Sequence, residues 1–420
     1  MKSRISLGTC LVLMLVAAFV TFQITYSTLT NKYESTVYSF NKYTEVTSNF
    51  DAVDSASDDD DWRQLYSILS EADAYARNYY YHNIDDEALK TNMLFMYAVS
   101  LNDRYAAFYD PQEYVEVYGE NNGSSHGIGV RITYDYTYNG IYVYQVMDFS
   151  PAAEYGIKEG DIIVAVNGAA VSQLGFDAAC DTILDAPLEN IVSVDVLTAS
   201  SDYRENVKLD ITKRIYDIQT VSVEMLTDEV ALVKIYEFNY NTGKEFATKM
   251  DAAIASGAKR FIFDVRSNPG GIINGVAETL DYLLPEGTII TTKTKFGDEK
   301  VIESDEKFLD APMVVLVNGN TASGGELFAA ALRDYEMATL IGTTTYGKGS
   351  MQTEYPLSDG SCIAFTTHMY YPPCGEGYDG IGVAPHKVVE LTEEQNLRFF
   401  HLTNDEDSQL MAALDEVINK

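Results

Sequence analysis

An uninterrupted apolar run, Met313 to Val317, ends in the turn residues Asn318 to Thr321 and is followed by a helix-forming stretch, Glu326 to Leu332. A run of that length between turn signals reads as a buried strand. The chain must therefore build a strand–turn–helix elbow there, with Ser323 at the start of the helix. Free N–H groups and the positive end of the helix dipole at such a point suit a developing oxyanion. Gly324 lets a carbonyl approach the backbone closely. Ser323-x-x-Glu326 also has capping-box spacing, so an N-cap is the plain structural reading of the same serine.

A second Gly-rich turn, Gly342 to Gln352, reads GTTTYGKGSMQ. Gly342-x-x-x-x-Gly347-Lys348 begins like a phosphate-binding loop. That motif needs Ser or Thr after the lysine, and Gly349 stands there instead. Lys348 is then an exposed turn lysine or, if desolvated, a base, because burial lowers a lysine pKa. A serine becomes a nucleophile only when a nearby base takes its proton. Gln352, four residues on, can hold Lys348 by a hydrogen bond. A third unit runs from the strand Phe261–Asp264 through Arg266, Asn268 and Pro269 to Gly270-Gly271. Ile272, Ile273, Val276 and Leu280 follow at helical spacing. Two glycines at a helix start can present N–H groups to an anion.

Taken in order, strand-Asp264-x-Arg266-x-Asn268-Pro-Gly-Gly, then Asn318-x-x-x-Ala322-Ser323, then Gly347-Lys348-Gly349-x-x-Gln352 resembles the C-terminal processing (tail-specific) proteases, peptidase family S41. The resemblance implies that Ser323 is the nucleophile, Lys348 the general base and Gln352 the group that orients it. It also implies an oxyanion hole of backbone amides from Gly324 with Gly270 or Gly271. The flanks depart from the family's pattern: Thr321-Ala322-Ser323-Gly324-Gly325-Glu326 stands where Ser-Ala-Ser-Ala-Ser-Glu is usual. His386 stands where a late aspartate is usual, and its segment reads as structural.

Upstream, Ser150-Pro-Ala-Ala-x-x-Gly156 and Gly160-Asp161-Ile-Ile-x-x-Val166-Asn167-Gly168 resemble a PDZ domain. Such a domain adds an extended peptide to a sheet edge and binds its terminal carboxylate with loop amides. The candidate loop and strand are Gly127, Ile128, Gly129 and Val130. The basic residue common after the family's PDZ helix is replaced by Leu184-Asp185-Ala-Pro187. Leu101-Asn-Asp103-Arg104-Tyr105 resembles the helical region before the PDZ domain, with Arg104 in place of a proline.

Net charge is −34, from 63 acidic and 29 basic side chains, which repels nucleic acid and excludes it as a partner. Ile5 to Tyr26 is uncharged, mostly apolar and preceded by Lys2 and Arg4. It is long enough for a bilayer and has no small-x-small cleavage site. This reads as a single-pass anchor in the cell membrane, with the bulk of the chain outside the cytoplasm, at a bacterial surface or in a periplasm. Outside that segment only Cys180, Cys362 and Cys374 remain, an odd number that cannot pair completely within one chain.

The expected organisation is α/β (α+β multidomain). It comprises a membrane anchor (1–30), a polar, acidic linker (31–61), a helical N-terminal region (62–120), an inserted-type PDZ domain (125–214) and an S41 protease core (216–420). The Pro-Gly-Gly unit resembles the crotonase-like fold, by fold-level analogy. The expected activity is a serine endopeptidase, with proteins or peptides bearing apolar C-terminal tails as substrates and a homodimer admitted. No metal or cofactor is assigned, since no His-Glu-x-x-His helix exists. Two rivals stand beside this reading: a Ser-His-Asp triad drawing on one of five histidines, and a membrane-anchored PDZ scaffold that binds peptide C-termini without cutting them.

Overall fold

The computed structural model describes residues 60–420. Two compact units divide the chain, Met1–Asp86 and Glu87–Lys420. In the first, the described part is chiefly the helix Asp60–Tyr79, near whose end Arg77 bonds Asp73 at 2.7 Å and Asp86 at 2.6 Å. The expectation of a single-pass anchor and a cell-membrane location is corrected. No helix among the described residues is long and apolar enough to cross a membrane. Ile5–Tyr26, on which that expectation rested, lies outside the described residues, as does the linker up to residue 59.

The second unit holds all but the first residue of the helix Asp86–Ser100, then the helix Pro111–Asn121. Asp110 starts the latter by accepting from the backbone N–H of Gln112 and Glu113, with Pro111 at the first helical position, where a missing N–H costs nothing. Between them the chain is extended. Ala107–Tyr109 is a strand paired antiparallel with Cys362–Ala364. The expected helical region thus contributes a strand to a sheet of the C-terminal part, and Phe108 is buried there.

The PDZ-like part is an antiparallel sheet in the order Val130–Asp135, Gly140–Val146, Ile162–Val166, Ile191–Leu197, Asn206–Thr212. Alternate residues of these strands, among them Val192, Val194 and Val196, turn inward against Ala179 and Ile183 of the helix Phe176–Leu184. Val130–Asp135 forms one edge of this sheet and Asn206–Thr212 the other. A two-stranded ribbon, Ser124–Gly127 with Arg214–Asp217, pairs the entry and exit of this insertion.

The C-terminal part, the expected protease core, is built on a six-stranded sheet: Val221–Met225, Val230–Ile235, Arg260–Asp264, Met313–Val317, Ala338–Gly342, Lys387–Val388. All neighbours after the first pair are parallel. Parallel strands are covered on both faces, which explains the unbroken apolar runs. Ala231, Val233, Phe261, Phe263, Met313, Val315 and Val317 face one core, with Phe246, Val276 and Phe328 from three helices. Their alternates, Leu232, Ile262, Val314 and Leu316, face Leu410, Ala413 and Val417 of the C-terminal helix Ser408–Ile418. Truncating a fully buried ring such as Phe263 to alanine should cost about 3–5 kcal/mol. A second, antiparallel sheet carries Ser350–Pro356 against Cys362–Tyr371.

Candidate functional site

Three adjacent parallel strands deliver three turns to one end of the sheet: Arg260–Asp264, Met313–Val317 and Ala338–Gly342. Polar side chains and backbone groups stitch the turns together. Thr321 Oγ1 donates to Val265 O at 2.8 Å, Ser267 N to Asn318 Oδ1 at 2.9 Å, Ala322 N to Asn268 O at 2.9 Å, and Tyr346 N to Thr321 O at 3.0 Å.

Ser323 has φ 52° and ψ −116°, a conformation L-residues rarely adopt. Such strain persists only where the surroundings over-determine it, and here Glu326 supplies much of that constraint. Its carboxylate is fully buried. One oxygen accepts from Ser323 N at 2.9 Å and Lys348 N at 2.7 Å. The other accepts from Thr345 Oγ1 at 2.5 Å and Gly347 N at 2.6 Å. A single side chain therefore fixes the serine turn to the lysine turn. In the sequence Glu326 reads only as half a capping box, because its partners on the lysine turn are 19 to 22 residues away.

Lys348 is half-buried, with Nζ 4.5 Å from the centre of the Tyr105 ring. Burial, and then the nearby Arg104 guanidinium, lower its pKa below the ordinary 10.5, against smaller opposing effects of Asp103 and Glu326. The loop carrying Tyr105 is pinned by Asp103, which accepts from Tyr105 N at 3.0 Å and Thr366 N at 2.7 Å. The Gln352 amide nitrogen donates to Thr366 Oγ1 at 2.9 Å and Ser350 Oγ at 3.3 Å, fixing the strand that follows Lys348.

Gly270 lies against the serine turn. A Cβ there would stand 2.7 Å from both Gly324 N and Ser323 Cβ. Its N–H is bonded to Asn268 Oδ1 at 2.7 Å. Gly271, at φ 130°, faces the Phe238 carbonyl so closely that a Cβ would stand 1.9 Å from the oxygen. Phe238 in turn accepts from Ile272 N and donates to Gly270 O, holding the turn like a strand edge. Asp264 does not approach Ser323 through a histidine. It accepts from Arg266 Nε at 2.9 Å and Nη2 at 2.7 Å. Arg266 also bonds Asp407 and Gln409 and lies over the Phe399 ring. Among the described residues the hydroxyl partner of Ser323 Oγ is Tyr370, at 3.1 Å, and not a histidine. His386 serves structure: its Nδ1 accepts from Leu340 N at 2.9 Å.

At the PDZ-like part, Gly127 belongs to the ribbon, opposite Arg214. Ile128 is buried and its carbonyl accepts from Ala152 N, while Gly129 O accepts from Met147 N. Val130 begins the edge strand. A cleft of about 400 Å³ has Val130, Arg131 and Met147 on one side and Phe238, Gly270 and Gly271 on the other. Arg131 crosses it to Glu237 at 3.2 Å. Tyr142 and Tyr144 of the neighbouring strand stack on His401 and Phe400, with ring centroids 3.7 and 4.3 Å apart.

Comparison with known proteins agrees with this architecture. The model of peptidase family S41 matches residues 229–389, and that of the PDZ domain matches 119–195. The carboxyl-terminal-processing protease of Synechocystis sp. is 30% identical over 321 residues, covering 75% of this chain and 74% of that protein. The carboxy-terminal processing protease CtpA of Bacillus subtilis is 30% identical over 337 residues, covering 80% and 71%. A Bacteroides fragilis protein assigned to the S41 proteases superposes with a TM-score of 0.55 at 15% identity, over 80% of this chain and 92% of that one, and so shares the fold. The chain belongs to the carboxy-terminal processing proteases of peptidase family S41. It is a serine peptidase with a PDZ domain.

Proposed function

We propose that Ser323 and Lys348 carry peptide-bond hydrolysis in a serine endopeptidase that selects proteins by their C-terminal tails. One observation supports the pairing: the buried Glu326 carboxylate accepts from the backbone N–H of both residues. Burial lowers the Lys348 pKa, which suits it to act as the base. Neutral Lys348 takes the Ser323 proton as Oγ attacks the scissile carbonyl carbon. The carbonyl π-electrons move onto oxygen, where backbone N–H groups receive the charge. Because the Gly270 N–H is committed to Asn268, Gly324 and Gly271 are the donors of choice. On collapse the C–N bond breaks and the leaving amine takes the proton from Lys348. Water then hydrolyses the ester and regenerates Ser323. Gln352 positions the base by tying its own strand, Ser350–Pro356, to Thr366 of the neighbouring strand.

The PDZ domain is assigned to 125–214, the core to 216–420, with 62–120 as the preceding region. The edge strand Val130–Asp135 suits strand addition by a peptide whose terminal carboxylate meets the amides of Gly127 to Val130. The test uses an unfolded protein with an apolar C-terminal tail, its tail-amidated counterpart, and mass spectrometry of the products. Wild type should cut the free-tailed substrate, cut the amidated one more slowly, and lose both activities on Ser323→Ala. Equal cutting by Ser323→Ala would overturn the serine assignment, and equal cutting of both tails would overturn carboxylate selection.

A further inference from the structure

Tyr370 lies outside all three motifs, yet its hydroxyl is the side-chain group hydrogen-bonded to Ser323 Oγ. The residue sits in the strand Cys362–Tyr371, is almost wholly buried, and packs edge-on against Tyr378 with centroids 5.9 Å apart. Its Oη lies 2.6 Å from Lys348 O and 3.1 Å from Ser323 Oγ. A phenol has one proton to donate. A carbonyl can only accept, so in the resting site the shorter contact claims that proton for Lys348 O. Ser323 Oγ is then the second acceptor within reach, and it becomes the stronger one only when it carries charge.

We infer that Tyr370 is a further catalytic residue of this peptidase: its hydroxyl donates to Ser323 Oγ as that oxygen ionises, stabilising the alkoxide while Lys348 accepts the proton. This rests on the Ser–Lys reading above. Tyr370 keeps its own proton throughout. As Oγ forms the ester bond its charge is spent, and the phenol returns to Lys348 O. On deacylation the same donation assists Oγ as the leaving group. A charge-assisted hydrogen bond gained mainly in the transition state raises kcat rather than lowering KM. Burial also raises the phenol pKa above its ordinary 10.0, so the donor stays protonated over the working range.

The full-length chain carrying Tyr370→Phe keeps the ring and loses only the hydroxyl. Its kcat on a cleavable peptide should fall by about 10- to 100-fold with KM unchanged, the size expected for one hydrogen bond to a charged group. A kcat within two-fold of wild type, or a loss expressed mainly in KM, would overturn the inference. If the variant does not regain the native near-ultraviolet circular dichroism, fluorotyrosines of graded acidity at position 370 replace it. A systematic dependence of kcat on phenol acidity is then expected, and a flat series overturns the role. Ser323→Ala and Lys348→Ala run alongside. If either retains normal hydrolysis, the Ser–Lys reading falls; if both are dead and Tyr370→Phe is fully active, only the role of Tyr370 falls.

Discussion

Replacing Glu326 by glutamine should damage stability and catalysis together, because one carboxylate organises both turns. Four donors converge on it: Ser323 N and Lys348 N on one oxygen, Thr345 Oγ1 and Gly347 N on the other. An amide can accept on one arm only. Its NH2 group is best placed towards Thr345 and Gly347, since a hydroxyl can turn its proton away. Gly347 N is then left without a partner, and the charge assistance of the remaining bonds is lost. One unsatisfied buried donor costs about 1–3 kcal/mol, and weakening the others adds roughly 1 kcal/mol. The expected destabilisation is therefore about 2–4 kcal/mol, read as a lower urea midpoint at unchanged slope. With the two turns loosened, kcat should fall by about 10²-fold, as for an ångström-scale misplacement of reacting groups. Glu326→Ala orphans all four donors and should be worse in both assays. A Glu326→Gln protein with the wild-type urea midpoint and wild-type kcat would refute the idea that this carboxylate joins the turns.

Further outcomes follow from neighbouring groups. On the proposed Ser–Lys mechanism hydrolysis needs neutral Lys348, whose pKa is lowered below 10.5, so log kcat/KM should rise with pH and level off at a midpoint below 10.5. Arg104→Ala removes a repulsive charge and should move that midpoint upward, visible in a pH–rate profile. Arg266→Ala leaves the buried carboxylates Asp264 and Asp407 facing each other without their shared cation. It should cost about 3–5 kcal/mol in denaturant unfolding. Gly271→Ala would drive a Cβ into the Phe238 carbonyl and should raise hydrogen exchange across residues 267–272, with loss of activity. Phe400→Ala removes the stack on Tyr144 and should raise hydrogen exchange in Gly140–Val146, the strand it covers.

Much of this architecture was legible in the chain. Met313–Val317 is apolar at every position because the sheet is covered on both faces; the sequence marks it as a buried strand, and its central, parallel place is seen in the sheet. Ser323, Lys348 and the Gly270–Gly271 turn stand out because sharp turns after strands need small residues at fixed spacing. What the sequence hides is mostly long-range. Ala107–Tyr109 sits amid helical stretches and becomes a strand only through its pairing with residues 362–364, about 250 residues later. Tyr370 is one of 31 tyrosines and carries no local signal. Its place beside Ser323 follows from the pairing of Ser350–Pro356 with Cys362–Tyr371, which brings Met369 opposite Ser350. Glu326 was visible as a cap, and only the fold reveals its second set of donors. The proposed preference for Gly271 over Gly270 likewise rests on one side chain, Asn268, whose direction no spacing reveals.

The central claim, that Lys348 is the base for Ser323, is tested most directly by the rate at which a fluorophosphonate labels the protein, followed by intact mass and peptide mapping across pH. The wild type should take up one label, on Ser323, at a rate that climbs as Lys348 loses its proton. Lys348→Ala should be slower by about 10²–10⁴-fold, the usual contribution of a positioned general base. Labelling of Lys348→Ala at the wild-type rate, or a label on any residue other than Ser323, would contradict the account.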